Sequence, residues 1–171
     1  AAAVAALRDH GALLLVDAAQ ALGRIPVDIA QLDASYLVVS SHKLGGPPGV
    51  GALALAPGSP FATKRFGGGQ ERGRRPGTEN VAGVEGFATA TEWALRDLAA
   101  EAARLIAMRS RFETALPSDV TVFGAETLRL PNTSNFALPG LNAETAVIAM
   151  DLEGVAISSG AACSSGKVRS S

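Results

Sequence analysis

Charge, cysteine and long apolar runs are all scarce in this chain. Charged residues make up 18% of its 171 residues and the formal net charge is -1. With a pI near 6.2, the chain lacks the broad electrostatic attraction on which nucleic-acid and anionic-membrane binders rely. The single cysteine, Cys163, excludes an internal disulfide and the cysteine density of a small secreted scaffold, so a reducing, cytoplasmic setting is expected. No segment reaches the roughly 18 uninterrupted apolar residues of a membrane span. The Ala-rich opening has no basic stretch before it and soon meets Arg8 and Asp9, unlike a secretory leader. Internal repeats and low-complexity tracts are absent as well.

What is present is apolar: 47% of the residues are hydrophobic, which excludes wholesale disorder and leaves enough material for a core. Residues 1–9 read as the end of a helix closed by His10-Gly11. The run Ala12-Leu13-Leu14-Leu15-Val16 suits a strand buried on both faces, and it ends abruptly in Asp17. A connection through Gly23, Pro26 and a turn at residues 28–31 leads to a second such strand, Tyr36-Leu37-Val38-Val39, which ends in Ser40-Ser41-His42-Lys43. A third apolar run occupies residues 51–55. Short apolar strands separated by crossovers predict an α/β sheet, with mixed strand directions admissible.

Residues 57–78 are rich in Gly and Arg and read as a loop. Apolar residues then recur at Val81, Val84, Phe87, Ala94, Leu98, Leu105, Met108 and Phe112, and Pro117 supplies a stop. That spacing predicts one long helix over about 80–116, kinked or straight, linking two domains. Strands near 120–123 and 133–137, a helix over 143–152 and a short strand at 155–157 complete a small α+β domain. Both ends of the chain read as cut.

Ligands of open α/β sheets gather at the carboxyl ends of strands, so Asp17 to Gln20 and Ser40 to Lys43 should face one crevice. A lysine directly after a buried strand can be desolvated and used as a nucleophile toward an aldehyde. An aspartate on the neighbouring strand can hold a protonated pyridine nitrogen. Taken singly, a solvated lysine and a turn-capping aspartate are the commoner explanations of these residues.

The segments taken together change the balance. Val16-Asp17-Ala18-Ala19-Gln20, Ser40-Ser41-His42-Lys43-Leu44-Gly45-Gly46-Pro47, the run from Gly67-Gly68-Gly69-Gln70-Glu71 to Gly77-Thr78, Pro131-Asn132-Thr133-Ser134-Asn135-Phe136 and Ser158 to Gly166 around Cys163 occur in this order. In this set the chain resembles the cysteine desulfurases, class V members of the fold type I pyridoxal phosphate enzymes. The resemblance implies the C-terminal half of a large, mostly parallel-sheet domain at residues 1–98. A small α+β domain at 99–171 would follow, joined to it by the long helix.

By the same resemblance Lys43 carries the cofactor, pyridoxal 5'-phosphate, on its amine. Asp17 pairs with the pyridine nitrogen and Gln20 with the phenolic oxygen, while Ser40, Ser41 and His42 sit at phosphate-binding positions. Thr78 reaches the phosphate of a neighbouring subunit, which implies a homodimer. Cys163 takes sulfur from L-cysteine as a persulfide, releases alanine and passes the sulfur to an acceptor protein such as an iron-sulfur scaffold. Neither nucleic acid nor membrane is an expected partner.

Several family features have no counterpart: an upstream phosphate loop, a histidine stacked on the cofactor, an asparagine near the phenolic oxygen and a C-terminal arginine for the substrate carboxylate. His10 does not supply the stacking histidine, because it precedes the Asp17 strand. Selenocysteine lyase or another class V activity, and a non-catalytic binding partner, are therefore the alternatives. The basic residues between Lys64 and Arg75 suit a solvated loop or anion recognition near a dimer interface. Asn132, Asn135 and Trp93 read as structural, Trp93 through helix packing.

Overall fold

The computed structural model describes Val4, Ala6, Leu7 and residues 10–160. Among the described residues the chain forms two compact units, divided after Met108, with residues 130–132 belonging to the first.

The first unit is built on a three-stranded sheet in the order β1-β2-β3: β1 (Leu15–Asp17), β2 (Tyr36–Ser40) and β3 (Gly51–Leu55). Val4, Ala6 and Leu7 are helical. The Ala12 N–H donates to the Leu7 carbonyl at 3.1 Å where Gly11 turns the chain into the sheet. β1 starts later than the apolar run suggests and includes Asp17.

β1 and β2 are parallel, with Leu15 opposite Tyr36 and Asp17 opposite Val38. β2 and β3 are antiparallel, with Tyr36 opposite Leu55 and Ser40 opposite Gly51. The expectation of a mostly parallel sheet is thus met at one pairing only, and the sheet described is mixed. Connection length accounts for this, because a parallel return needs a crossover of about a dozen residues or more. Residues 18–35 provide one, and residues 41–50 do not.

Within the crossover, Asp28 Oδ1 accepts from the N–H groups of Ala30 and Gln31 at 2.8 and 3.2 Å, which makes the turn the sequence suggests. Gly23 sits at φ 74°, and a Cβ there would lie 3.0 Å from that of Ala94, so both conformation and space favour glycine.

The strands are less buried than their composition predicts. Leu37 of β2 is buried with Ala18 and Ala34, but Leu15 on β1 is 56% exposed and Leu53 on β3 is 40% exposed. Position explains the contrast: β2 has a neighbour on each side, whereas β1 and β3 each have one.

The Gly/Arg-rich segment is largely irregular and holds one short helical turn, α1 (Gln70–Gly73), in which Glu71 and Arg72 adopt left-handed conformations at φ 51° and 58°. The expected long helix is two helices, α2 (Val81–Arg96) and α3 (Leu98–Thr114), broken at Asp97, where φ is -119° and ψ 28°. The Asp97 carbonyl accepts the Glu101 N–H at 2.9 Å, so the residue opens α3 while closing α2. Asn80 caps α2 by accepting the Gly83 N–H at 3.0 Å on Oδ1.

The second unit contains a two-stranded antiparallel pair, β4 (Thr121–Val122) and β5 (Phe136–Ala137), and helix α4 (Ala143–Leu152). The helix has the bounds its sequence pattern predicts. Phe112 and Phe136 pack with ring centroids 5.5 Å apart. The strand expected at 155–157 does not form; the Val155 N–H instead closes α4 on the Met150 carbonyl at 2.8 Å.

Candidate active site

Parallel pairing brings the ends of β1 and β2 to the same edge of the sheet, so Asp17 and the segment from Ser40 to Lys43 occupy one end of it. The Ala18 N–H donates to the Val38 carbonyl at 2.8 Å and carries the ladder to the start of the Asp17-Gln20 turn. Asp17 Oδ1 accepts the Ala19 N–H at 2.9 Å, which directs the chain away from the sheet and leaves the exposed carboxylate a second oxygen. Gln20 is also exposed.

After β2 the chain enters a 3-10 turn over Ser41–Leu44, closed by Gly45 at φ 93°. Ser40 Oγ and His42 Nδ1 are 3.0 Å apart. Lys43 is half-buried, and its carbonyl accepts from Arg24 Nη2 at 3.0 Å. Arg24 therefore ties the crossover to the lysine turn, a contact that nothing in the sequence signals.

Ser41 behaves differently from its neighbours. It is fully buried, its N–H is committed to the Val50 carbonyl at 3.0 Å, and its Oγ has no hydrogen-bond partner among the described residues. Its carbonyl accepts the Gly46 N–H at 3.1 Å, and Gly46 lies directly against its hydroxyl. Ser41 thus secures the turn from inside, whereas Ser40 and His42 lie outward.

Thr78 is exposed in the loop before α2, and no hydrogen bond joins it to the cluster among the described residues. Cys163 and the loop from residue 161 onward lie outside the described residues. Trp93, expected to pack, is 66% exposed, with the Arg96 guanidinium 4.3 Å from its ring centroid. A cation over the ring face takes the place of helix packing. Trp93 lines a cleft of about 650 Å³ with Leu44, Gly46, Pro47 and Ala90.

The donor set fits pyridoxal phosphate. A primary amine, a carboxylate, an amide, a hydroxyl and an imidazole follow the ends of two adjacent parallel strands, a set whose chemistry suits an aldehyde, a ring nitrogen, a phenolic oxygen and a phosphate. Among the described residues no group of three or more His, Cys, Asp or Glu could hold a metal ion. No described helix is long and apolar enough to cross a membrane.

In the second unit, sequence reasoning missed a charged cluster. Glu113 accepts from Arg129 Nη1 and Nη2 at 2.7 and 3.0 Å and from Ser134 Oγ at 2.7 Å. The Arg129 bonds, helped by Ser134, lower the Glu113 pKa to about 2. Only Ser134, within the Pro131 to Phe136 motif, lay in a segment the sequence had marked.

Comparison with known proteins shows what the chain as a whole is similar to. The chain is 40% identical over 166 residues to a cysteine desulfurase of Bradyrhizobium diazoefficiens, covering 96% of this chain and 42% of that protein. It is 40% identical over 158 residues to the cysteine desulfurase IscS of Dictyoglomus turgidum, covering 91% of this chain and 40% of the relative. The crystal structure of a NifS-like protein from Rickettsia africae superposes with a TM-score of 0.86 at 30% identity, covering 91% of this chain and 44% of that one. The chain therefore spans less than half the length of the relatives it matches. The aminotransferase class-V profile matches residues 1–170, and the chain belongs to that family.

Proposed function

We propose that this chain forms part of a pyridoxal phosphate-dependent cysteine desulfurase that converts L-cysteine to L-alanine and retains the sulfur on Cys163. The observation that carries the reading is the placement of Asp17 and the Lys43 turn at one end of a parallel strand pair, in a chain whose relatives are named cysteine desulfurases. On this reading residues 1–98 belong to the cofactor domain and residues 99–171 to the small domain.

Bound pyridoxal phosphate supplies an electron sink for the charge left when the substrate Cα loses its proton. Lys43 Nζ takes that proton and returns it. The Asp17 carboxylate holds a proton on the ring nitrogen, and the Gln20 amide donates to the phenolic oxygen. Ser40 and His42, whose Oγ and Nδ1 are 3.0 Å apart, would hold the phosphate, and the buried Ser41 holds their turn in place. Thr78 serves the site of a second subunit.

Cys163 thiolate then forms an S–S bond as the substrate Cβ–S bond breaks. The electron pair stays with carbon, which collects protons and leaves as alanine. The persulfide passes to an acceptor protein, such as an iron-sulfur scaffold, in the cytoplasm.

Visible absorbance on adding pyridoxal phosphate tests the assignment of the lysine. In a chimaera in which the chain replaces its matched segment in the Bradyrhizobium diazoefficiens relative, it should appear after free cofactor is removed and be absent in Lys43→Ala; a band that persists in the variant would assign the covalent link elsewhere. Cys163→Ser in the same chimaera should retain the band and lose sulfide release.

A further inference from the structure

Among the described residues Arg24 is a half-buried arginine without an ion pair. Its Nη2 donates to the Lys43 carbonyl at 3.0 Å, and its Nε is buried with no hydrogen-bond partner. Withdrawing a guanidinium from water is costly, and a carboxylate is the common compensation. Here the charge-assisted bond goes instead to one backbone carbonyl, and that carbonyl belongs to the residue whose amine the site needs.

The Lys43 carbonyl has no other donor. The 3-10 turn over Ser41–Leu44 directs the N–H groups of Gly45 and Gly46 to the Ser41 carbonyl, and among the described residues no backbone N–H is bonded to that of Lys43. Carbonyls at the end of a helical turn are left open unless a side chain reaches them. Arg24 reaches this one from a well-braced segment. Its own N–H and that of Ile25 donate to the Ala21 carbonyl at 2.9 and 3.1 Å, and a Cβ on the buried Gly23 would lie 3.5 Å from the Leu44 Cβ. The crossover is thus packed on the lysine turn beside the residue that carries the guanidinium.

We propose that Arg24 is a positioning residue for Lys43. By holding the carbonyl it fixes the backbone torsions of the lysine, on which its side-chain rotamers depend, and so aims Nζ at the aldehyde it must join. Joining forms a C=N bond to Nζ and releases water. The inference rests on the reading of Lys43 as the cofactor lysine.

The test uses the chimaera with the Bradyrhizobium diazoefficiens relative and two probes, pyridoxal phosphate and pyridoxamine phosphate. The second has an amine in place of the aldehyde and forms no link to a lysine. Equilibrium dialysis of the native chimaera should show tighter binding of pyridoxal phosphate, and Lys43→Ala should abolish that preference. Arg24→Met keeps an apolar stem and removes the donor. It should weaken pyridoxal phosphate binding by about 10-fold or more and leave pyridoxamine phosphate binding within about twofold. Arg24→Lys should restore most of the loss, because a single contact to a carbonyl does not need the guanidinium fork.

An unchanged affinity for pyridoxal phosphate in Arg24→Met overturns the proposal. So does an equal loss for both probes, through misfolding or otherwise, since the role would then be structural. A preference that is absent from the native chimaera, or that survives Lys43→Ala, overturns the reading of Lys43 and the inference with it.

Discussion

Gly46 leaves no room for a side chain: a Cβ there would press on the Ser41 hydroxyl and come within 3.2 Å of the Ala90 Cβ. Gly46→Ala should destabilise the first unit by about 1–3 kcal/mol, read as a lowered urea midpoint; an unchanged midpoint would mean the Ser41 turn yields freely. At Glu113 the expected effect is one of pH. Its folded pKa of about 2 lies below the ordinary 4.5, so the charged form favours the fold. That contribution is complete above about pH 4.5 and is lost as pH falls toward 2. Ser134→Ala removes one charge-assisted bond, should cost about 1.5 kcal/mol near neutrality, and should raise the Glu113 pKa, as carboxyl-resolved NMR would record. The candidate site was legible at this scale where a polar residue ends an apolar run, as at Asp17 and Lys43. The Arg24 clasp on the Lys43 carbonyl was not, because it joins segments that meet only after the sheet forms; the Ser41–Gly46 contact is local, but a polar residue in a Gly-rich turn does not signal its burial.

Among the elements, legibility followed local rules. Helix α4 has the bounds its pattern gives, with Asn142 accepting the Glu144 N–H at 2.8 Å as its cap. α2 and α3 share the predicted periodicity, yet Asp97 divides them, since an aspartate competes well as a helix-opening residue. Strands fared worse. Residues 155–157 have the apolar composition of a strand, but the bond from Val155 to Met150 uses the chain to end a helix. Composition also overstated the burial of β1 and β3, because burial depends on neighbours that a linear pattern does not reveal. Removing the α2 cap tests one of these local rules: Asn80→Ala should cost about 1 kcal/mol, measured by thermal unfolding, and a change within a few tenths would show that packing alone holds the helix start.

For the whole molecule, the governing fact is that the chain spans 42% of its Bradyrhizobium diazoefficiens relative. The chain alone should bind pyridoxal phosphate weakly and turn over little L-cysteine, whereas the chimaera with the relative should do both; robust turnover by the 171 residues alone would refute this. The central place of β2 has a further consequence, which concerns time. It is bonded on both sides, and the turn that follows it is tied to the Val50 carbonyl and to Arg24. On the proposed reading, the Lys43 amine must leave its cofactor and return as a base while its backbone stays pinned. Apart from the bond exchange itself, only side-chain torsions are then needed, and these relax in picoseconds to nanoseconds, whereas lids and domains move in microseconds to milliseconds. Repositioning of the amine would not set the pace of a turnover.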